Sequence, residues 1–179
     1  EFSEGLAKVK KDGKWGFIDK NGNVVADFIY DGAGGFTDGR AWVEIDGKCG
    51  YIDKNGNVVV DLVYDSVTYF SEGLASVEKD GQWKVIDTEG NVVIDFIYDG
   101  TLGFNEGLAR VWKDGKCGFI DKSGNVVASC IYDDASEFSE GLAKVKKDGK
   151  WGFIDKSGNV VIDLIYDNVG RFNEGLAWV

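Results

Sequence analysis

The 179-residue sequence predicts an all-β repeat protein: tandem 34-residue units, each a three-stranded antiparallel meander, arranged as a five-bladed β-propeller-like ring or, alternatively, an open superhelical β-solenoid. Three observations predict it. The segments KWGFIDK (14–20), KCGYIDK (48–54), QWKVIDT (82–88), KCGFIDK (116–122) and KWGFIDK (150–156) start 34 residues apart without insertion. Asp-Gly recurs at one place in every copy (Asp12-Gly13, Asp46-Gly47, Asp80-Gly81, Asp114-Gly115, Asp148-Gly149) between short alternating segments. A two-residue type I′ turn needs positive φ at both central residues, so this dipeptide marks a hairpin. A second glycine turn follows ten residues on (Asn21-Gly22, Asn55-Gly56, Glu89-Gly90, Ser123-Gly124, Ser157-Gly158), leaving no room for a helix of ordinary length. The period alone would also suit the helical tetratricopeptide repeat; the pattern inside it decides for strands.

The copies run 1–34, 35–68, 69–102, 103–136 and 137–170 in a single repeat domain, and 171–179 opens a sixth: EFSEGLAKV at 1–9 returns as RFNEGLAWV. In the first copy, strand A spans Leu6 to Lys11, strand B Lys14 to Asp19, and strand C Val24 to about Tyr30, before a loop into the next copy. The slots of Ala7 and Val9 stay small and apolar while those of Lys8 and Lys10 vary, which predicts one packed and one wet face. Adjacent valines followed by Phe28, Ile29 and Tyr30 predict a strand C buried on both faces. Small residues in strand A suit the crowded innermost strand of a propeller blade, whereas 34 residues is short for four strands and the duplicated end fits an open solenoid.

Composition removes several function classes. Thirty-one acidic against 20 basic residues give a net charge of −11, which disfavours nucleic acid and anionic lipid. No run approaches the ~20 apolar residues of a membrane helix, so membrane insertion is not expected. Neither a signal peptide nor a Met start is present, which reads as a mature chain or an excised piece. The absence of His, Pro and Met takes away the commonest general base and metal ligand and any prolyl switch.

The recurring phrases E-F-S-E-G-L-A, K-D-G-K-W-G-F-I-D-K and I-Y-D, with Trp15-Gly16 and Trp151-Gly152, resemble the WG (KWG) repeat family of bacterial proteins over the whole chain. Copies two and four carry Cys49 and Cys117 in place of the Trp, and copy three carries Lys84 in place of the Gly. The resemblance implies a β-repeat scaffold attached to surface or secreted proteins, hence an extracellular or cell-surface location, with no catalytic residues to carry over.

The turn Asp19-Lys20-Asn21-Gly22-Asn23 looks like the start of a calcium loop, but its glycine is fourth rather than sixth and no bidentate Glu follows, so it reads as a turn. Asp31, Asp65, Asp99, Asp133 and Asp167 of I-Y-D would line a pore or cation site in a ring; the competing reading is a carboxylate capping backbone N–H groups. Trp alternating with Cys in one slot indicates core, as does Cys130 in the slot of Phe28, Leu62, Phe96 and Leu164. Three cysteines without C-x-x-C argue against zinc and against a disulfide framework, and no metal or cofactor is expected.

Candidate ligand-binding residues are those that break the wet pattern of strand A: Trp42 and Trp178 in the Lys8 slot, Trp112 in the Lys10 slot, Arg40 in place of Leu, and Arg110 beside Trp112. Exposed Trp with Arg is typical of binding hot spots. The competing reading is that these rings cover a neighbouring unit. The sequence therefore points to a non-catalytic scaffold for a protein, peptide or glycan, or else to a structural spacer or oligomerising segment that self-associates through its end strands. With no His and with carboxylates assigned to turns, no nucleophile and base pair can be named.

Overall fold

The computed structural model describes residues 2–95, 98–172 and 174–178; Glu1, Phe96, Ile97, Asn173 and Val179, which belong to the repeated phrases, lie outside the described residues. Among the described residues all the regular elements are strands, in five sheets of four. The first sheet contains β1 (Phe2–Ser3), β2 (Leu6–Lys11), β3 (Lys14–Asp19) and β4 (Val24–Tyr30). The second contains β5 (Gly32–Ala33), β6 (Ala41–Ile45), β7 (Lys48–Ile52) and β8 (Val58–Tyr64). The third contains β9 (Ser66–Val67), β10 (Leu74–Lys79), β11 (Gln82–Asp87) and β12 (Val92–Asp95). The fourth contains β13 (Gly100–Asn105), β14 (Leu108–Lys113), β15 (Lys116–Asp121) and β16 (Val126–Tyr132). The fifth contains β17 (Asp134–Ala135), β18 (Leu142–Lys147), β19 (Lys150–Asp155) and β20 (Val160–Tyr166). In every sheet the strands lie side by side in chain order and antiparallel.

The three expected strands of the first copy are β2, β3 and β4, and a fourth joins them from the segment expected to be a loop. The four-strand sheet fits a 34-residue period because that strand is short and its return is a two-residue turn. Glu4-Gly5 (φ 50° and 92°), Asp38-Gly39, Glu72-Gly73, Glu106-Gly107 and Glu140-Gly141 all have positive φ at both positions, the geometry of a type I′ hairpin. In every copy but the second the first residue is Glu, a weak left-handed residue, so this turn carries little sequence signal.

Contacts divide the chain into two compact units, Glu1–Phe96 and Ile97–Val179. In the first unit, Leu6, Phe17, Ala26 and Tyr30 of the first sheet form one buried cluster with Ala33, Phe36, Ala41, Val43 and Ile52 of the second. Tyr51 and Val60 of the second form another with Phe70, Ala75, Val77 and Ile86 of the third. In the second unit, Phe119, Ala128 and Tyr132 pack on Ala135, Phe138, Ala143, Val145 and Ile154. Each core is thus shared by two consecutive sheets. Edge-on ring pairs cross the seams, Phe17–Phe36 at 5.1 Å, Tyr51–Phe70 at 4.7 Å and Phe119–Phe138 at 5.0 Å.

Two expectations need correction. The last strand of each sheet is not buried on both faces: Val24, Val58, Val92, Val126 and Val160 are exposed, as are Ile29, Val63, Ile131 and Ile165. As the edge strand of its sheet it leaves these side chains in water, while others pack on neighbouring sheets, as Leu62 does toward the first and Val60 toward the third. The variable face of strand A is not uniformly wet either. Lys8 is exposed, but Trp42 and Arg110 are half-buried and Ser76 is fully buried.

The glycine of Trp-Gly has a steric role. The last strand bulges between Trp15 and Phe17 and again between Phe17 and Ile18, folding its backbone over Gly16. A Cβ there would lie 2.7 Å from the Ala26 carbonyl oxygen, and 2.4 Å from the corresponding oxygens at Gly50, Gly118 and Gly152. In the third copy Lys84 replaces the glycine. Lys84 pairs in register with Asp95, and Nζ meets its carboxylate at 3.2 Å.

Candidate binding site

The turns consume the carboxylates that could have held a cation. In the second turn of the first copy, Asp19 Oδ1 accepts the backbone N–H groups of Asn21 and Asn23, both at 2.8 Å, and Oδ2 accepts Nδ2 of Asn23. Asp53, Asp87, Asp121 and Asp155 make the same set. Donation from the Asn23 side chain and backbone holds the Asp19 carboxyl below its ordinary value. The Asp of I-Y-D joins two sheets. Asp31 pairs with Lys14 at 2.6 Å and takes the N–H of Asp46, in the next sheet's Asp-Gly turn, at 3.1 Å. Lys48–Asp65, Lys116–Asp133 and Lys150–Asp167 repeat the ion pair. Among the described residues no group of three His, Cys, Asp or Glu could hold a metal ion.

The Lys8 slot forms a second kind of tie. Lys8 Nζ donates to the Ala33 carbonyl at 2.9 Å, one sheet on, and lies 4.9 Å over the Trp15 ring. Lys144 does the same toward Val169 and Trp151.

The five sequence-predicted site residues fall in three places: Arg40 and Trp42 at the second sheet, Arg110 and Trp112 on the fourth, and Trp178 after the fifth. Arg110 donates to the Ala135 carbonyl, approaches Asp134 at 3.7 Å and stacks 4.6 Å from the Trp112 ring, so Trp112 serves as the platform for its own sheet's arginine. Arg40 donates Nε to the Thr88 carbonyl at 2.8 Å, bridging the second and third sheets. The equivalent bridge between first and second sheets is Lys54–Glu4 at 2.9 Å. Trp42 lies over Gly34, where a Cβ would meet its Nε1 at 2.2 Å, and edges against Tyr69 at 6.4 Å. Trp178 is 63% exposed.

What the structure does bring together is a cavity of about 590 Å³ in the first unit, lined by Phe2, Leu6, Lys8, Trp15, Phe36 and Tyr69, with Ser3, Phe17 and Gly35 completing it. The Ser3 hydroxyl already donates to the Phe36 carbonyl at 2.6 Å, leaving Lys8 as the lining's one charged side chain. Tyr69, 49% exposed, leans in from the third sheet, and Trp42 backs it. In the second unit a smaller cavity of 340 Å³ uses the same Lys and Trp slots, Lys144 and Trp151, but is polar, with Arg110, Asp134, Glu137 and Arg171. Its Arg171 occupies the place that Gly35 holds in the first cavity, the first position of the copy after the lysine's, whereas Tyr69 holds that position one copy further on. That position reads Gly35, Tyr69, Gly103, Glu137, Arg171 along the chain, and its variation is the signal that sequence reasoning passed over.

The model of the WG containing repeat matches at residues 1–15, 15–49, 50–83, 85–117, 118–151 and 151–179. The chain belongs to the WG repeat family. A search of curated proteins finds no sequence match. Among solved structures, this WG repeat chain is similar to a eukaryotic initiation factor at 14% identity and a TM-score of 0.61, covering 97% of this chain and 56% of that one. It is also similar to Kluyveromyces lactis Hsv2 at 9% identity and a TM-score of 0.51, covering 90% of this chain and 61% of that one. A form of that protein with loop 6CD replaced by a Gly-Ser linker gives 10%, 0.52, 90% and 63% in the same order. The WG repeat chain therefore spans less than two thirds of the length of each. These likenesses show the fold: all-β, with five four-stranded antiparallel sheets in a propeller-like plan.

Proposed function

We propose that the chain is a non-catalytic binding scaffold and that its first unit captures a peptide segment by an apolar side chain. The observation that carries this reading is the aromatic cavity of Phe2, Trp15, Phe36 and Tyr69, open to solvent within a frame that repeats almost without change. A cavity of about 590 Å³ accommodates one large side chain with its flanking backbone. Its polar lining supports a peptide over a glycan. Sugars need several convergent side-chain hydrogen bonds, and here Ser3 is already engaged and the other side-chain donors, Lys8 Nζ, the Tyr69 hydroxyl and the Trp15 indole N–H, are set among aromatic rings and Leu6. The net charge of −11 favours basic residues on either side of the apolar anchor by long-range attraction.

Titration of a peptide library with basic flanks and a central Phe, Leu or Trp, read by tryptophan fluorescence, tests the proposal. Binding should weaken about tenfold or more on Tyr69→Ser, consistent with loss of a hot-spot aromatic. Trp178→Ser, remote in sequence and absent from the lining, should leave it unchanged. Equal binding by the Tyr69 variant would remove the cavity from consideration.

A further inference from the structure

We propose that the polar cavity of the second unit is a carboxylate-binding site for an acidic residue of a peptide, taken by its side chain or by a free C-terminus. All its lining residues belong to the second unit, so it stands or falls separately from the aromatic cavity of the first.

Three cationic side chains converge on this cavity. Arg110 comes from β14, Lys144 from β18 and Arg171 from the segment after β20, and Asp134 and Glu137 complete the charged lining. Cations outnumber carboxylates here, whereas the chain as a whole carries a net charge of −11. A local positive excess in a negative molecule selects an anion at this one place. The excess is a single charge, so it suits a monoanion, and Asp134 and Glu137 oppose a phosphate dianion.

The cations are not used up by the chain's own acceptors. Lys8, in the equivalent slot of the first sheet, holds its carbonyl at 2.9 Å, but Lys144 Nζ stands 3.5 Å from the Val169 carbonyl, at the outer limit of a hydrogen bond. In the same slot of the fourth sheet Arg110 substitutes a rigid fork of donors for the ammonium. Its Nη1 donates to the Ala135 carbonyl and approaches Asp134 at 3.7 Å, while Nε is buried with no partner among the described residues. A buried N–H without an acceptor is costly, and a ligand carboxylate is the acceptor that a guanidinium matches with two parallel bonds. The side chain is 18% exposed and lines the cavity, so the carboxylate meets the fork from that side. Stacking on Trp112 at 4.6 Å fixes the plane of the fork. The Ser136 hydroxyl is already engaged, donating to the Glu137 carbonyl at 2.8 Å and accepting the Lys144 N–H at 3.2 Å, so the contacts left for a ligand are the charged ones.

The neighbouring rings favour a peptide over an acidic sugar. Lys144 and Lys146 lie 4.8 and 5.5 Å from the Trp151 ring, and Arg110 lies over Trp112, which packs against the core cluster. Cations of the chain thus take the ring faces on which a sugar would stack. A volume of about 340 Å³ is near the lower end of the ~300–1,000 Å³ of ligand cavities, room for one acidic residue.

NMR titration of the 179-residue protein with acetyl-Gly-Gly-Glu-Gly-Gly-amide, its Gln counterpart and its phosphoserine counterpart tests the proposal. The Glu peptide should shift the backbone amides of residues 134–137 saturably and the Gln peptide should not. Acetyl-pentaglycine with a free C-terminus separates the two sources: binding equal to that of the Glu peptide makes this a C-terminus site, and weaker binding makes it a side-chain site. Arg110→Lys keeps the charge, and lysine is the residue that the slot holds at Lys8 and Lys144, so the fold should persist while affinity for the Glu peptide falls about tenfold with loss of the fork. Arg171→Gln, at an exposed side chain, should weaken binding about threefold. Lys20→Gln, which removes an exposed charge in the first unit, and Tyr69→Ser, in the aromatic cavity, should leave it unchanged. Equal shifts with the Glu and Gln peptides, a preference for the phosphoserine peptide, or parental affinity in either arginine variant would overturn the proposal.

Discussion

At the scale of single residues, the glycine after Trp or Cys in the third strand position is set by a backbone neighbour rather than by its own φ. The last strand of the sheet bulges over it, and a Cβ at Gly50 would stand 2.4 Å from the Val60 carbonyl oxygen. Gly50→Ala should cost about 1–3 kcal/mol, the usual penalty for forcing extra volume into packed structure, measured as a fall in urea midpoint. Lys84→Gly, in the one copy whose strand already accommodates a side chain at this slot, should cost no more than the ~1 kcal/mol for a glycine in a strand. Cys117 occupies the Trp slot of the fourth sheet at 1% exposure, and burial pushes its thiol up to about 11. It should resist a maleimide at neutral pH in the folded protein and react only on unfolding, which mass spectrometry of digests would follow.

At the scale of elements, the repeat is a set of hairpins whose turns contain their own electrostatics. The turn aspartates Asp19, Asp87 and Asp121 are held below the ordinary value of 3.8, chiefly by donation from Asn side chains, and Asp31, Asp65 and Asp133 by their lysines. A folded-state carboxyl that binds its proton later than the unfolded chain contributes stability above the unfolded value and loses it as pH falls through the folded one. Stability should therefore hold from pH 7 to about 5 and fall below about 4. In Asp121→Asn, whose amide oxygen can still accept the Ser123 and Asn125 N–H groups, the drop between pH 5 and 3 should be smaller than in the parent. Urea midpoints of the two proteins at each pH give the comparison.

The hairpins also show what could be read from sequence. Strands β2, β3 and β4 were legible to the residue because Asp12-Gly13 and Asn21-Gly22 bracket them with residues that favour left-handed φ. The short strand was not, because its turn is Glu-Gly in every copy but the second and because two paired residues, such as Gly32 and Ala33, carry no alternation to detect. The same gap hid the site. Arg40, Arg110, Trp42 and Trp112 stand out by type but have partners within their sheets and on the neighbouring ones. Tyr69 lines the cavity from the first position of its copy, in a stretch that reads as connecting loop.

At the scale of the molecule, the organising fact is that no sheet owns a core. Phe119 belongs to the fourth sheet, yet its ring packs at 5.0 Å against Phe138, which leads into the fifth, and both are at most 3% exposed. Phe119→Ala should cost about 3–5 kcal/mol and loosen both sheets together, since the cavity opens between them. Amide exchange should then accelerate in β15 and in β18 alike, whereas a core private to one sheet would confine the change to β15. The most direct test is a peptide comprising one sheet alone, residues 31–65, followed by circular dichroism and proton NMR. Separated from its neighbours it exposes Ala41, Val43 and Tyr51, so it should show no cooperative thermal transition and no dispersed amide spectrum. A cooperative melt with native-like dispersion from that single sheet would contradict the account.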